Sequence, residues 1–302
     1  MAAVATPIPK SGPVPSARGA ANGRNIGRLI FNSLYDLEVY GAKNVPKRGR
    51  LIVAANHLGF LDGPLLFSAA PRPIHLVAKS ELFEPPLDRV LKGAGQIKLD
   101  YESADRDAVQ TALRVLEDGR AVGTFPEAHR GRGDFARIRH GVAYLHSRTN
   151  APIVPAAIFG TRLTGMGKNQ LPKVRSQLAV AFGEPFTVPA LGDIDSRATL
   201  AAMGESIRQR LADHVDASIA RYDVELPDDV PTDQTVGNLR CQTKSTATPS
   251  AMTSLTRGLR WSSRSLRSMQ TPTKRPQRWQ QLAPNLVTSM SLKSAGLTTM
   301  SP

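Results

Sequence analysis

The stretch "LIVAANHLGFLDGP", Leu51 to Pro64, decides how the rest of the chain is read. A short apolar run bounded by turn signals reads as a buried strand, here Leu51 to His57. A histidine at the end of such a strand stands where a loop-borne site is usually built. Taken alone, the spacing of His57 and Asp62 fits a bland arrangement equally well. His57 is then a surface histidine, and Asp62 caps a helix that starts at Gly63-Pro64.

Working outward, short apolar runs alternate with helical periods between Ile26 and Tyr222. Residues 36–41, 51–57, 74–79, 96–101, 121–126, 152–160 and 177–186 read as strands. Val109, Ala112, Leu113 and Leu116 repeat at helical spacing, so 103–118 reads as an amphipathic helix closed by Gly119. Leu200, Met203, Ile207, Leu211 and Val215 define a long helix over 196–222. This alternation predicts an α/β fold with a largely parallel central sheet flanked by helices. In such sheets, sites form where loops leave the strands. Segment 25–35 gathers Ile26, Leu29, Ile30 and Leu34 on one side. It reads as a helix packed on the core, with an interfacial helix touching lipid as the functional alternative.

Composition divides the chain further. The net charge of +14 comes from 39 basic and 25 acidic residues in 302. Residues 234–302 hold ten Lys/Arg and no Asp/Glu, so the rest is nearly balanced. The basic character is therefore a property of the tail and not a nucleic-acid signature of the fold. The organisation expected is a disordered N-terminal segment over 1–25, a folded domain over 26–230 and a basic, Ser/Thr/Pro-rich disordered tail over 231–302. The tail reads as a membrane- or RNA-contacting arm or as a segment without function. A single cysteine, Cys241, favours a reducing compartment. The first 25 residues lack the apolar core of a secretory signal, and no stretch has the length of a spanning helix.

Three more stretches bear on His57. In "GTFPEAHRGRG" (123–133) a strand runs into a loop carrying Arg130 and Arg132, an arrangement suited to gripping phosphate. "GAGQIKLDY" (93–101) is a Gly-rich turn entering a strand that carries Lys98. "APIVPAAIFG" (151–160) suits an apolar wall. Imidazole titrates near neutrality, so His57 suits proton abstraction from a hydroxyl, with Asp62 holding the other ring nitrogen. On a regular helix the two would point about 140° apart, so the chain must turn between them. Gly59 and Gly63 ease that turn, and its backbone N–H groups are candidates for holding an oxyanion. No G-x-S-x-G elbow or H-E-x-x-H pair occurs. "GTRLTGMGK" (160–168) has Met166 where a phosphate loop needs lysine. His75, His140, His146 and His214 read as structural or surface residues, while His129 sits beside the anion loop.

In this order, "NHLGFLD", "GQIKLDY", "FPEAHRGRG" and "IVPAAIFG" resemble the four blocks of the glycerol-phosphate and lysophosphatidate acyltransferase family. The resemblance covers about residues 26–190. It departs at Ala128-His129, where the family has Gly-Thr, and at Tyr101, where the second block usually has arginine. It implies an O-acyltransferase that moves a fatty acyl group from acyl-CoA or an acyl-carrier protein to 1-acylglycerol 3-phosphate, giving phosphatidic acid. His57 and Asp62 are then catalytic, with Glu127 and Arg130 binding the acceptor. Lys98, Arg106 or Arg132 would take over from the missing arginine. The acyl carrier is a co-substrate, and no cofactor or metal is implied. Partners are the acyl donor, the lysophospholipid and a membrane surface, and the resemblance implies no nucleic acid. The location expected is cytoplasmic, peripheral on the cytoplasmic membrane. The alternatives are another acceptor (glycerol 3-phosphate, another lysophospholipid or a glycolipid), or a non-catalytic basic membrane- or RNA-binding protein on the same scaffold.

Overall fold

The computed structural model describes residues 14–100, 106–190 and 192–229. The strands are β1 (Asp36–Tyr40), β2 (Leu51–Ala55), β3 (Ile74–Lys79), β4 (Ile97–Leu99), β5 (Ala121–Thr124), β6 (Ile153–Phe159) and β7 (Gln177–Phe182). They form a single sheet in the order β1-β7-β6-β2-β5-β3-β4. Every neighbouring pair is parallel except β6 and β7. Among the described residues the α-helices are α1 (Ala17–Leu34), α2 (Asp62–Ala69), α3 (Leu87–Gly93), α4 (Arg106–Glu117), α5 (Gly141–Thr149) and α6 (Arg197–Tyr222).

Side-chain alternation along β2 explains why both faces are covered. Leu51, Val53 and Ala55 pack into one cluster with Leu65, Leu66 and Phe31 from α2 and α1. Ile52 and Ala54 face the other way, among Leu113, Leu116, Leu145, Ile207 and Leu211 from α4, α5 and α6. A strand buried on both faces cannot alternate apolar with polar, so it appears in sequence as a continuous apolar run.

The N-terminal segment differs from expectation. Residues 17–25 are not unstructured: they are the first half of α1, whose N-cap Ser16 accepts from the Gly19 N–H. Gly19, Gly23 and Gly27 recur at one-turn spacing and form the packing stripe of this helix. A Cβ on Gly27 would come 2.2 Å from Ser68 Oγ, and one on Gly19 would come 2.0 Å from the Gly93 carbonyl oxygen. Glycine is needed there because helix backbones meet at van der Waals distance. The stripe of Ile26, Leu29, Ile30 and Leu34 is therefore not the core-facing side, and all four remain exposed. The described residues end at Asp229, before the proposed tail begins. Expectations for 231–302 and for Tyr101 lie outside the described residues.

Candidate active site

Three adjacent strands, β6, β2 and β5, run parallel and end at the same edge of the sheet. Their C-terminal continuations supply Thr161 and Arg162 from β6, Asn56 and His57 from β2, and Phe125 to Arg130 from β5. Asn56 is fully buried and fastens two of these ends together. Its Nδ2 donates to the Ile158 carbonyl at 3.1 Å, and its Oδ1 accepts from the Ile158 N–H at 2.7 Å.

From this edge the chain turns back, so that Asp62, the first residue of α2, faces His57. The separation from His57 Nδ1 to Asp62 Oδ2 is 2.7 Å. Asp62 is completely buried, and such a carboxylate needs partners on every lone pair. Oδ2 also accepts from the Leu58 N–H at 2.5 Å and the Gly59 N–H at 2.8 Å. Oδ1 accepts from the Thr161 hydroxyl. With the carboxylate on Nδ1, the ring keeps its proton there and leaves Nε2 free to accept one. The imidazole is 18 % exposed, enough for a substrate hydroxyl to reach it. Its ring stacks on Phe125 with centroids 4.4 Å apart.

These contacts overturn one expectation. The N–H groups of Leu58 and Gly59 are committed to Asp62, and that of His57 donates to Glu127 Oε2 at 2.7 Å. They do not form an oxyanion site. The Leu58 and Gly59 N–H groups are taken up by the buried aspartate, since a buried carboxylate left without donors is costly.

The structure brings Glu127 beside His57, with both of its carboxylate oxygens already hydrogen-bonded. Oε2 holds the His57 N–H, and Oε1 accepts from the Phe135 N–H at 3.3 Å. Burial pushes its carboxyl up to about 7 against the pull of those two hydrogen bonds. Glu127 thus ties the loop after β5 to the end of β2.

Arg130 lies on that loop, half-buried, with its guanidinium 5.6 Å from the centroid of the Phe60 ring. It donates to the Lys168 carbonyl at 3.1 Å and to the Asn169 side chain. Burial lowers its pKa and Asp62 opposes this, so the two charges share one environment. The Gly131 N–H donates to the His57 carbonyl at 2.8 Å, which pins this basic loop to the turn after β2. Arg132 is more remote. It is exposed and pairs with Asp134 at 3.5 Å. Lys98 is exposed on edge strand β4, three strands from β2, a lateral distance of about 14 Å. Neither has a hydrogen bond to His57, Asp62 or Glu127 among the described residues. His129 is exposed beside the loop. Burial first, then the cations Lys79 and Arg139, lower its pKa.

The remaining buried histidines are structural. His75 Nδ1 meets the Gly95 carbonyl at 2.6 Å, and His146 bridges Ala151 and Val188. Among the described residues no three His, Cys, Asp or Glu side chains gather as metal ligands do.

A cavity of about 570 Å³ opens next to the imidazole, between α4, α5 and the ends of β3 to β5. Val77, Leu99, Val109, Phe125 and Val142 line it, with Arg106 and Arg139 among its polar members. Phe125 is the wall it shares with His57.

Residues 36–159, which contain all of this but the β6 loop, match the model of the acyltransferase family. That stretch is an acyltransferase domain. An enzyme of Bacillus subtilis named 1-acyl-sn-glycerol-3-phosphate acyltransferase is 29 % identical over 62 % of this chain and 92 % of its own length. One of the same name from Borreliella burgdorferi is 29 % identical over 41 % of this chain and 51 % of its own. The crystal structure of the lysophosphatidate acyltransferase PlsC from Thermotoga maritima shares the fold. Its TM-score is 0.50 at 23 % identity, covering 66 % of this chain and 80 % of that one. The chain is thus an O-acyltransferase. Asn56, Thr161 and Arg162 were not singled out by the sequence. Thr161 and Arg162 sit in the stretch dismissed as a failed phosphate loop, and only the adjacency of β6 and β2 reveals their use.

Proposed function

We propose that this acyltransferase moves a fatty acyl group from a thioester donor, acyl-CoA or acyl-carrier protein, to the free hydroxyl of a 1-acylglycerol 3-phosphate. The observation that carries the reading is the 2.7 Å contact between a part-exposed His57 and a buried Asp62. In the reaction His57 Nε2 takes the hydroxyl proton while the oxygen attacks the thioester carbon. The tetrahedral adduct collapses, the C–S bond breaks, and the imidazolium returns the proton to the leaving thiolate. Asp62 stabilises the imidazolium in between. No enzyme nucleophile is consumed. Arg130 is the cation best placed for the acceptor phosphate, and its planar fork suits that group. The cavity beside Phe125 has the volume of a small-molecule site and an apolar lining that fits a hydrocarbon chain.

Both acceptor and product are lipids, so the reading includes work at a membrane surface. No helix among the described residues is long and apolar enough to cross a bilayer. The exposed stripe on α1, with Leu29 70 % and Ile26 61 % exposed, supports shallow interfacial contact.

The experiment is an acceptor panel assayed by thiol release from acyl-CoA. Lysophosphatidate should be the best acceptor by kcat/KM. Equal turnover of a phosphate-free lysolipid would refute the role given to Arg130. Failure on every acceptor with either donor would refute the activity itself.

A further inference from the structure

Arg162 is only 1 % exposed, although it carries a permanent charge. Burying a guanidinium costs several kcal/mol unless partners surround it, and an apolar side chain of similar size often serves stability as well. A buried arginine therefore suggests a need for its forked geometry. Its contacts come from three separate segments. Nη1 meets Asp229 Oδ1 at 2.6 Å and the Met166 carbonyl at 3.4 Å. Nη2 donates to the Asp229 carbonyl at 2.7 Å and to the Gly131 carbonyl at 3.2 Å.

Gly131 directly follows Arg130, and it is held on both sides. Its N–H binds the His57 carbonyl, and its own carbonyl binds Arg162. Asp229 is in turn fixed from below. The Gly165 N–H donates to its Oδ2 at 2.9 Å, and the Asp228 N–H donates to the Thr164 hydroxyl at 3.0 Å. The segment beyond α6 is thereby fastened over the β6 loop, and Arg162 transmits that attachment to the basic loop. The residue before Arg162 is Thr161, which binds Asp62. One short stretch therefore braces the histidine's partner and the phosphate-gripping loop together.

We propose that Arg162, held by Asp229, is a positioning residue of the acyl-transfer site. It fixes the Gly131 carbonyl, and through it sets Arg130 relative to His57. Residues 223–229, which follow α6, are on this reading part of the active-site assembly. The kinetic half of the test rests on the acyltransferase reading, and the structural half does not.

The test uses the full chain carrying Asp229→Asn, which keeps the shape but leaves Arg162 without its counter-charge. The acceptor KM should rise by about tenfold to a hundredfold, with kcat changed far less, since displacement of a positioning group by about 1 Å has effects of that size. Amide hydrogen exchange over residues 129–133 should quicken in the same protein. A folded variant with wild-type acceptor KM and wild-type exchange overturns the proposal. So does a lowered unfolding midpoint with both readouts unchanged, because the ion pair then only stabilises the fold. Should Asp229→Asn fail to fold, Arg162→Lys, which keeps the charge and loses the fork, is read in the same two ways. Quickened exchange in a protein whose wild type transfers no acyl group would refute the functional reading and leave the bracing intact.

Discussion

Substituting Asp62→Asn separates the charge of this residue from its hydrogen-bonding geometry. Asp62 Oδ2 sits in a cage of three donors: His57 Nδ1 and the N–H groups of Leu58 and Gly59. Asparagine can enter with its oxygen or its amide nitrogen at this position. Nitrogen inward sets an NH2 group against two backbone N–H groups, at about 1–3 kcal/mol for each buried donor left unpaired. Oxygen inward keeps all three contacts, and the NH2 then faces Thr161, whose hydroxyl can rotate to accept. The tautomer of His57 is therefore preserved and only the charge is lost. Charged hydrogen bonds contribute about 1.5–3 kcal/mol and neutral ones about 0.5–1.5, so the imidazolium loses about 1–2 kcal/mol of stabilisation. That corresponds to a fall in kcat of about 5- to 30-fold. A triad in which asparagine forces the wrong tautomer loses about 10⁴-fold. The assay is thiol release at saturating lysophosphatidate, with urea unfolding on the same samples to show that the fold is intact. A loss near 10⁴-fold, or no loss, would refute the reasoning about the cage. Asp62→Ala, which strands the two backbone donors, should lower stability by about 3 kcal/mol or more.

Other expectations follow from the same coordinates. Glu127 binds its proton more tightly folded (about 7) than unfolded (near 4.5), so folding takes up a proton between these values. This group's contribution to stability is thus greatest at or below pH 4.5 and is lost as pH rises to 7. Glu127→Gln should flatten the fall in urea midpoint between pH 5 and 7.5, and an unchanged slope would count against a buried, protonatable carboxyl. Ala128 has φ +61, a left-handed conformation that favours glycine, so Ala128→Gly should stabilise the fold by about 0.5–1 kcal/mol in thermal unfolding; destabilisation would show that the alanine methyl matters more by packing. Leu29→Glu on the exposed stripe of α1 should weaken sedimentation with anionic vesicles severalfold while the unfolding midpoint holds, and unchanged binding would remove α1 from the membrane face.

What could be read from the sequence has a physical pattern. β2 and β6 are buried on both faces, so their apolar runs are unbroken and their positions emerged almost to the residue. α4 and α6 each pack one face on the sheet, and the spacing of Leu113, Leu116, Leu211 and Val215 records it. α2 was harder, because it is short and buried nearly all round, from Leu65 to Ala69. The start of α1 was hidden by its own packing device, since Gly19, Gly23 and Gly27 resemble the glycines of a flexible tail. In the site, His57 and Asp62 are five residues apart, so their contact is local enough to anticipate. Thr161 and Arg162 reach the site only through the adjacency of β2 and β6, which no local pattern carries. Glu127 was legible as a site residue, but its role depends on which N–H groups meet its oxygens.

The most direct test is a single-turnover measurement of acyl transfer by His57→Ala, with folding checked by circular dichroism and urea unfolding. A general base contributes about 10²- to 10⁴-fold, so the account predicts a loss in that range with the fold retained. A well-folded His57→Ala protein that transfers acyl groups at the wild-type rate would contradict it.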